Sequence, residues 1–188
     1  MMYQKGMTLV ELMVVVVITS IIGIAMVNMF TISNRTFMDQ NKIIDVQRDG
    51  RLVMMYTARV LREVGLNPLN SPDFQGIREA SLTGIRIDRD SDIDGNLDNA
   101  TEIISLKFDV PRGVLMRGFN EGVGNVSWHD IANNITAFNL SYFDEDGAPA
   151  ATLADIRAIR VAIDFQDSKF LGGDFTRSYS TRVVLRNL

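Results

Sequence analysis

Two short stretches of this sequence carry residue types at spacings that could do chemistry. The first is Asp88-Arg89-Asp90-Ser91-Asp92-Ile93-Asp94-Gly95-Asn96-Leu97-Asp98, where carboxylates alternate with other residues up to a glycine. Calcium is a hard cation that takes about six to eight oxygen ligands, and alternate residues of a tight loop can turn inward to supply them. Asp90, Asp92, Asp94, Asn96 and Asp98 are the candidate ligands, with Gly95 allowing the sharp turn. The second stretch is Gly6-Met7-Thr8-Leu9-Val10-Glu11, which opens a long apolar run. Met7 and Glu11 are i and i+4, so an amine freed at Met7 and the Glu11 carboxylate would share one helix face. A carboxylate inside a membrane-spanning helix costs ~2.5–3.5 kcal/mol at its centre, and such a residue is functional by default. The bland alternative leaves Glu11 snorkelling among headgroups at the helix end.

The acidic stretch matches the first nine positions of an EF-hand-type loop when Asp90 is counted as the first. The bidentate Glu of that motif is missing at the twelfth, where Thr101 stands, and Glu102 comes one residue late. The flanking segments read as strands and not helices. The expectation is therefore a calcium loop on a β-hairpin, not an EF-hand switch. Acidic runs are more often plain solvated turns. Here, however, the segment from Asp88 to Glu102 holds five Asp, one Glu and one Arg, a local charge of −5 that a cation would relieve. Asp144, Asp146 and Gly147 form a shorter echo that reads as a turn.

Composition excludes much else. The 188 residues carry a net charge of −4, no cysteine and one histidine. Disulfides, thiolate metal sites, cysteine nucleophiles and multi-histidine metal centres are all ruled out. The charge argues against a general nucleic-acid binder, and outside the acidic loop the chain sums to only +1. His129 lies between Trp128 and Asp130 with no nucleophile elbow in the chain, so a surface or structural histidine is the expected reading. The glycines at 113, 118, 122 and 124 make no phosphate loop.

The elements that must position these residues follow from periodicity. Met7 to Phe30 is a run of 24 residues with Glu11 as its single charge. As a helix it would reach roughly 36 Å, enough to cross a hydrocarbon core of about 30 Å. No small-residue cleavage site follows it, so the segment is expected to be retained. Ile43, Val46, Gly50, Val53, Thr57, Val60 and Val64 then recur at helical spacing, with Arg48, Arg51, Arg59 and Arg62 off that stripe. One long helix from Met7 to Val64 is expected, with Gly23 or Asn34 as candidate breaks and Gly65 and Pro68 as stops.

Beyond Pro68 the period becomes two. Expected strands run through Ile85 and Ile87, Ile104 to Phe108, Val114 to Arg117, Phe138 to Tyr142, Ile159 to Phe165 and Tyr179 to Leu185. Turns are expected at Pro111-Arg112-Gly113, Asp144-Glu145-Asp146-Gly147 and Leu171-Gly172-Gly173-Asp174. The fold class is α+β: a helix, half in the membrane and half amphipathic, packed on an antiparallel sheet head of roughly 120–150 residues.

Gly6-Met7-Thr8-Leu9-Val10-Glu11, preceded by Lys5, resembles the type IV prepilin cleavage site. The resemblance implies a leader over 1–6, a membrane and filament-core helix over 7–30, an amphipathic helix over 31–66 and a sheet head over 67–188 with its acidic loop at 88–102. It implies cutting by prepilin peptidase between Gly6 and Met7, N-methylation of Met7, and Glu11 as the fifth mature residue. Met7 departs from the Phe more common in that family. The family's Glu is thought to pair with a neighbouring subunit's terminal amine during assembly.

Gln47-Arg48-Asp49-Gly50-Arg51, Leu61-Arg62-Glu63-Val64-Gly65 and the closing Val184-Leu185-Arg186-Asn187 look like the PilW branch of minor pilins. A J-type minor pseudopilin of type II secretion is the competitor. Major pilins commonly carry a carboxy-terminal disulfide loop, which this chain lacks. The resemblance implies a structural, non-catalytic subunit with other minor and major pilins as partners through their helices. It places the chain as a single pass in the bacterial inner membrane, head in the periplasm, and then in a pilus at the cell surface. It implies no small-molecule substrate and no direct nucleic-acid contact. A different class stays open: a membrane-tethered calcium-binding adhesive module acting alone.

Overall fold

A computed structural model describes residues 6–99, 101–119, 126–167 and 175–188. The leader residues before Gly6, the glycines at 122 and 124 and the turn expected at Leu171-Gly172-Gly173-Asp174 lie outside the described residues. The chain divides into two compact units, Met1–Ile44 and Asp45–Leu188.

A single helix, α1, covers Leu9–Arg62 and passes through Gly23 and Asn34 without interruption, so neither breaks it. In the first unit its apolar side chains from Leu9 to Phe30 are exposed. Length and composition suit this segment to crossing a membrane. Four hydroxyls of this unit are satisfied within the helix: Thr19 and Ser20 donate to the carbonyls of Val15 and Val16, and Thr31 and Thr36 to those of Val27 and Ile32. Hydroxyls turned back on their own backbone let a helix hold Ser and Thr where no water can bond them.

In the second unit the end of α1 buries Gly50, Val53, Thr57 and Val60 of the stripe expected from spacing, together with Ala58 and Leu61, while Arg48, Arg51, Arg59 and Arg62 stay exposed. Gly50 is there for its missing side chain. A Cβ at that position would sit 2.3 Å from a ring carbon of Tyr179. Gly65, at φ +70°, ends the helical turn and donates its N–H to the carbonyl of Asp88.

The strands form two antiparallel sheets where the alternation had suggested one. β1 (Ile77–Ala80), β2 (Gly84–Asp88), β3 (Ile103–Asp109), β4 (Val114–Phe119) and β5 (Ser127–Ala132) pair in that order as a meander. β6 (Ile135–Phe143), β7 (Ala158–Asp167) and β8 (Phe175–Val184) form the second sheet. The break falls at Asn133-Asn134, where Asn134 takes φ +59°. Beyond it β6 turns to pair with β7. Period-two alternation says which face is buried but not which strand is the neighbour. Ile85, Ile87, Leu106 and Leu115 of one sheet and Phe138, Leu140, Ile159 and Val161 of the other share one core with Val53, Val60 and Leu61 of the helix. The turn at Asp144 to Gly147 forms as expected, with Gly147 at φ +84° and the Asp144 carboxylate accepting the N–H of Ala148.

Candidate functional site

The first turn of α1 builds the amino-terminal site. The backbone N–H and the hydroxyl of Thr8 both donate to Glu11 Oε2, at 2.8 and 2.9 Å, and the N–H of Glu11 donates to Thr8 Oγ1 at 3.3 Å. This is a reciprocal capping box, in which two helix-start N–H groups that lack intrahelical partners are satisfied by one Thr and one Glu. A carboxylate there also faces the positive end of the helix dipole. Its sequence signal is T-x-x-E, a spacing of three beside the i, i+4 relation of Met7 and Glu11. Gly6 and Met7 are exposed next to this turn, and nothing lies within 4 Å of where a Gly6 Cβ would be.

The second site is the loop joining β2 to β3, closed at its base by the pair Asp88 and Ile103. Asp88 is fully buried and structural: it accepts from the N–H of Gln75 and from Nε of Arg78. Arg89 pairs with Glu63 on the last turn before Gly65 and donates to the carbonyl of Thr101. The N–H of Asp90 donates to the carbonyl of Leu66 at 2.7 Å. The loop is therefore pinned to the residues that end the helix.

Within the loop, the buried Asp90 carboxylate accepts N–H groups from Ile93, Asp94 and Gly95. Those bonds wrap the chain around it, with Ile93 at φ +65° and Gly95 at φ +78°. Glu102, also buried, accepts from the N–H groups of Ser91 and Asn99. One oxygen each from Asp90, Asp92, Asp94 and Glu102 lies within 4.8 Å of the others. Burial raises the pKa of Glu102 above its usual value, and the charge of Asp92 raises it further.

Of the expected ligands, the structure brings together Asp90, Asp92 and Asp94, and Glu102 joins them. Asp98 is outside this group. Asn96 is occupied locally, its backbone N–H on the Asp94 carboxylate and its amide on the Asp94 carbonyl. The all-oxygen, all-anionic donor set suits a hard divalent cation and not zinc or copper.

His129 lies on exposed β5 with its ring edge-on to Phe119 at 5.2 Å, and Asp130 is engaged by Arg112 at 2.7 Å. Among the described residues these do not assemble a hydrolytic triad.

Residues 1–27 match the model of the prokaryotic N-terminal methylation motif. No curated protein matches the chain. The motif, the exposed apolar helix and the antiparallel sheets that follow support a type IV pilin-like protein, pilin or pseudopilin. The motif also implies processing by prepilin peptidase and assembly with other pilins.

Proposed function

We propose that this chain is a minor pilin of the PilW branch, a non-catalytic subunit that helps to initiate a type IV pilus. One observation supports the reading above the rest: the only carboxylate of the apolar segment is held at the first helical turn, directly behind the Gly6–Met7 bond. Cleavage there would free an α-amine on Met7, and methylation would keep it basic. Glu11 then offers each subunit a fixed acceptor for a neighbour's amine, which would set the axial register while neutralising two charges in lipid. The apolar side chains behind it would be covered by lipid before assembly and by other subunits' helices afterwards.

We assign the acidic loop a calcium ion held by Asp90, Asp92, Asp94 and Glu102. The support is the convergence of four carboxylates, two of them buried. The ion would supply charge neutralisation and lock the loop, with no chemistry of its own.

Affinity capture of the full chain from its native membranes tests the filament reading. Recovery of pilus subunits supports the minor pilin role. Recovery of secretion pseudopilins reassigns the chain to the J-type position. Recovery of neither, with the leader still attached, leaves the lone tethered adhesive module.

A further inference from the structure

The outer face of the five-stranded sheet, opposite the face carrying Ile85 and Leu106, holds a row of directly paired positions. Glu79 stands opposite Arg86, Arg86 opposite Ser105, Ser105 opposite Gly118, and Gly118 opposite Trp128. Lys107 is in the adjoining row, opposite Gly84. Gly118 has no side chain, and the Trp128 indole lies over the gap: its Cη2 and the Cβ of Ser105 would each be 3.3 Å from a Cβ built there. Trp128 is nevertheless 41% exposed. Between its ring and the β1–β2 hairpin is a cleft of ≈ 420 Å³.

The hairpin wall is fixed from the second sheet. The Tyr142 hydroxyl donates to the carbonyls of Ser81 and Gly84 at 2.7 and 3.2 Å, and the N–H of Leu140 donates to the carbonyl of Leu82. The cleft is thus formed before any ligand arrives, which lowers the ordering cost of binding.

Its chemistry is an aromatic platform rimmed by mixed polar groups. Arg86 and Lys107 donate, Glu79 accepts, and the hydroxyls of Ser105 and Thr83 can do either. Arg86 is paired with Glu79 at 3.3 Å. Among the described residues Lys107 has no carboxylate within ion-pair distance, and its ammonium lies 5.9 Å from the indole centroid. A sugar ring has the complementary form: a C–H face that covers an aromatic ring and hydroxyls that both give and take hydrogen bonds. That ammonium beside the indole, without a carboxylate partner among the described residues, favours a sugar carrying a carboxylate. A nucleic-acid strand would need a cationic track to follow its phosphates. Glu79 in one row and Asp130, opposite Met116 in the other, interrupt such a track.

We propose that this cleft binds an acidic saccharide unit, its ring stacked on Trp128 and its carboxylate held by Lys107. The proposal is independent of the filament role.

Trp128 is the only tryptophan in the chain, so its emission reports on this cleft alone. Full-length protein in detergent is titrated with tri-galacturonate, with neutral maltotriose as control. The expected result is a saturable emission change, about tenfold weaker in affinity for maltotriose and about tenfold weaker for tri-galacturonate in Lys107→Gln with its Tm unchanged. Lys107→Met, which keeps the aliphatic stem beside the indole, gives the same loss. No saturable change, equal affinity for the two sugars, or unaltered affinity in both Lys107 variants overturns the proposal. So does a thymidine oligonucleotide that titrates the ring more tightly than the acidic sugar.

Discussion

Glu11 and Glu102 sit in two regions that ordinarily reject a carboxylate, and they are accommodated in different ways. Glu11 opens an apolar helix, is exposed, and has no other acid near it in sequence. The N–H and hydroxyl of Thr8 satisfy one of its oxygens by local bonds. Glu102 is buried in a folded head beside Asp90, Asp92 and Asp94, and its two backbone N–H donors leave the like charges facing one another. The first site has its Oε2 bonded locally and wants a further partner when lipid surrounds it. The second is satisfied in hydrogen bonds and overloaded in charge. A carboxylate's partner count alone does not say whether it needs an ion; the sign and number of its neighbours do.

This contrast can be broken by substitution, beginning with the largest effect. Glu11→Ala should leave cleavage at Gly6 intact and reduce recovery of the chain with filament subunits by an order of magnitude or more, following the cost of an unpaired charge in lipid. Unchanged copurification would show that Glu11 serves only as a helix cap. Calcium added to the full chain in detergent should raise its Tm, and Asp92→Ala combined with Asp94→Ala should abolish that rise. An equal rise in the double variant would remove the ion from this loop.

Glu102→Gln separates charge from hydrogen bonding. With its pKa raised in the folded state, Glu102 contributes stability that is fully present below its unfolded pKa and is lost as pH rises through the raised folded value. In chelator at neutral pH, Glu102→Gln should therefore raise the Tm, while diminishing the calcium response. A lowered Tm in chelator would mean that the carboxylate's hydrogen bonds outweigh its repulsion. Ile93→Asn is the smallest test. A β-branched residue at φ +65° is strained, and Asn tolerates that region better, so stability should rise by about 1 kcal/mol in a thermal melt. No change would mean that the loop relaxes around Ile93 in solution.

The helix, its buried stripe and the strands built on Ile104, Phe138 and Ile159 were legible because one apolar face per element leaves a period in the sequence. β1 and β5 were not, since Ile-Arg-Glu-Ala and Ser-Trp-His-Asp-Ile-Ala have little alternation. β5 is also largely exposed, so no buried face disciplines it. The split into two sheets depended on the backbone at Asn134, which hydropathy does not encode. In the acidic loop, spacing identified Asp90, Asp92 and Asp94. It discounted Glu102 because an EF-hand count placed that residue one position late. On a hairpin, the register between Asp88 and Ile103 decides what folds back, and it returns Glu102 to the cluster. The Thr8–Glu11 box is local, three residues apart, and the T-x-x-E spacing carries it in the sequence.

The most direct test of the pilin account is mass spectrometry of the chain recovered from sheared surface filaments of its native cells. The account predicts a chain that begins at Met7 and carries one methyl group on its α-amine. A chain absent from the filaments and found only in membranes, still beginning at Met1, would contradict it.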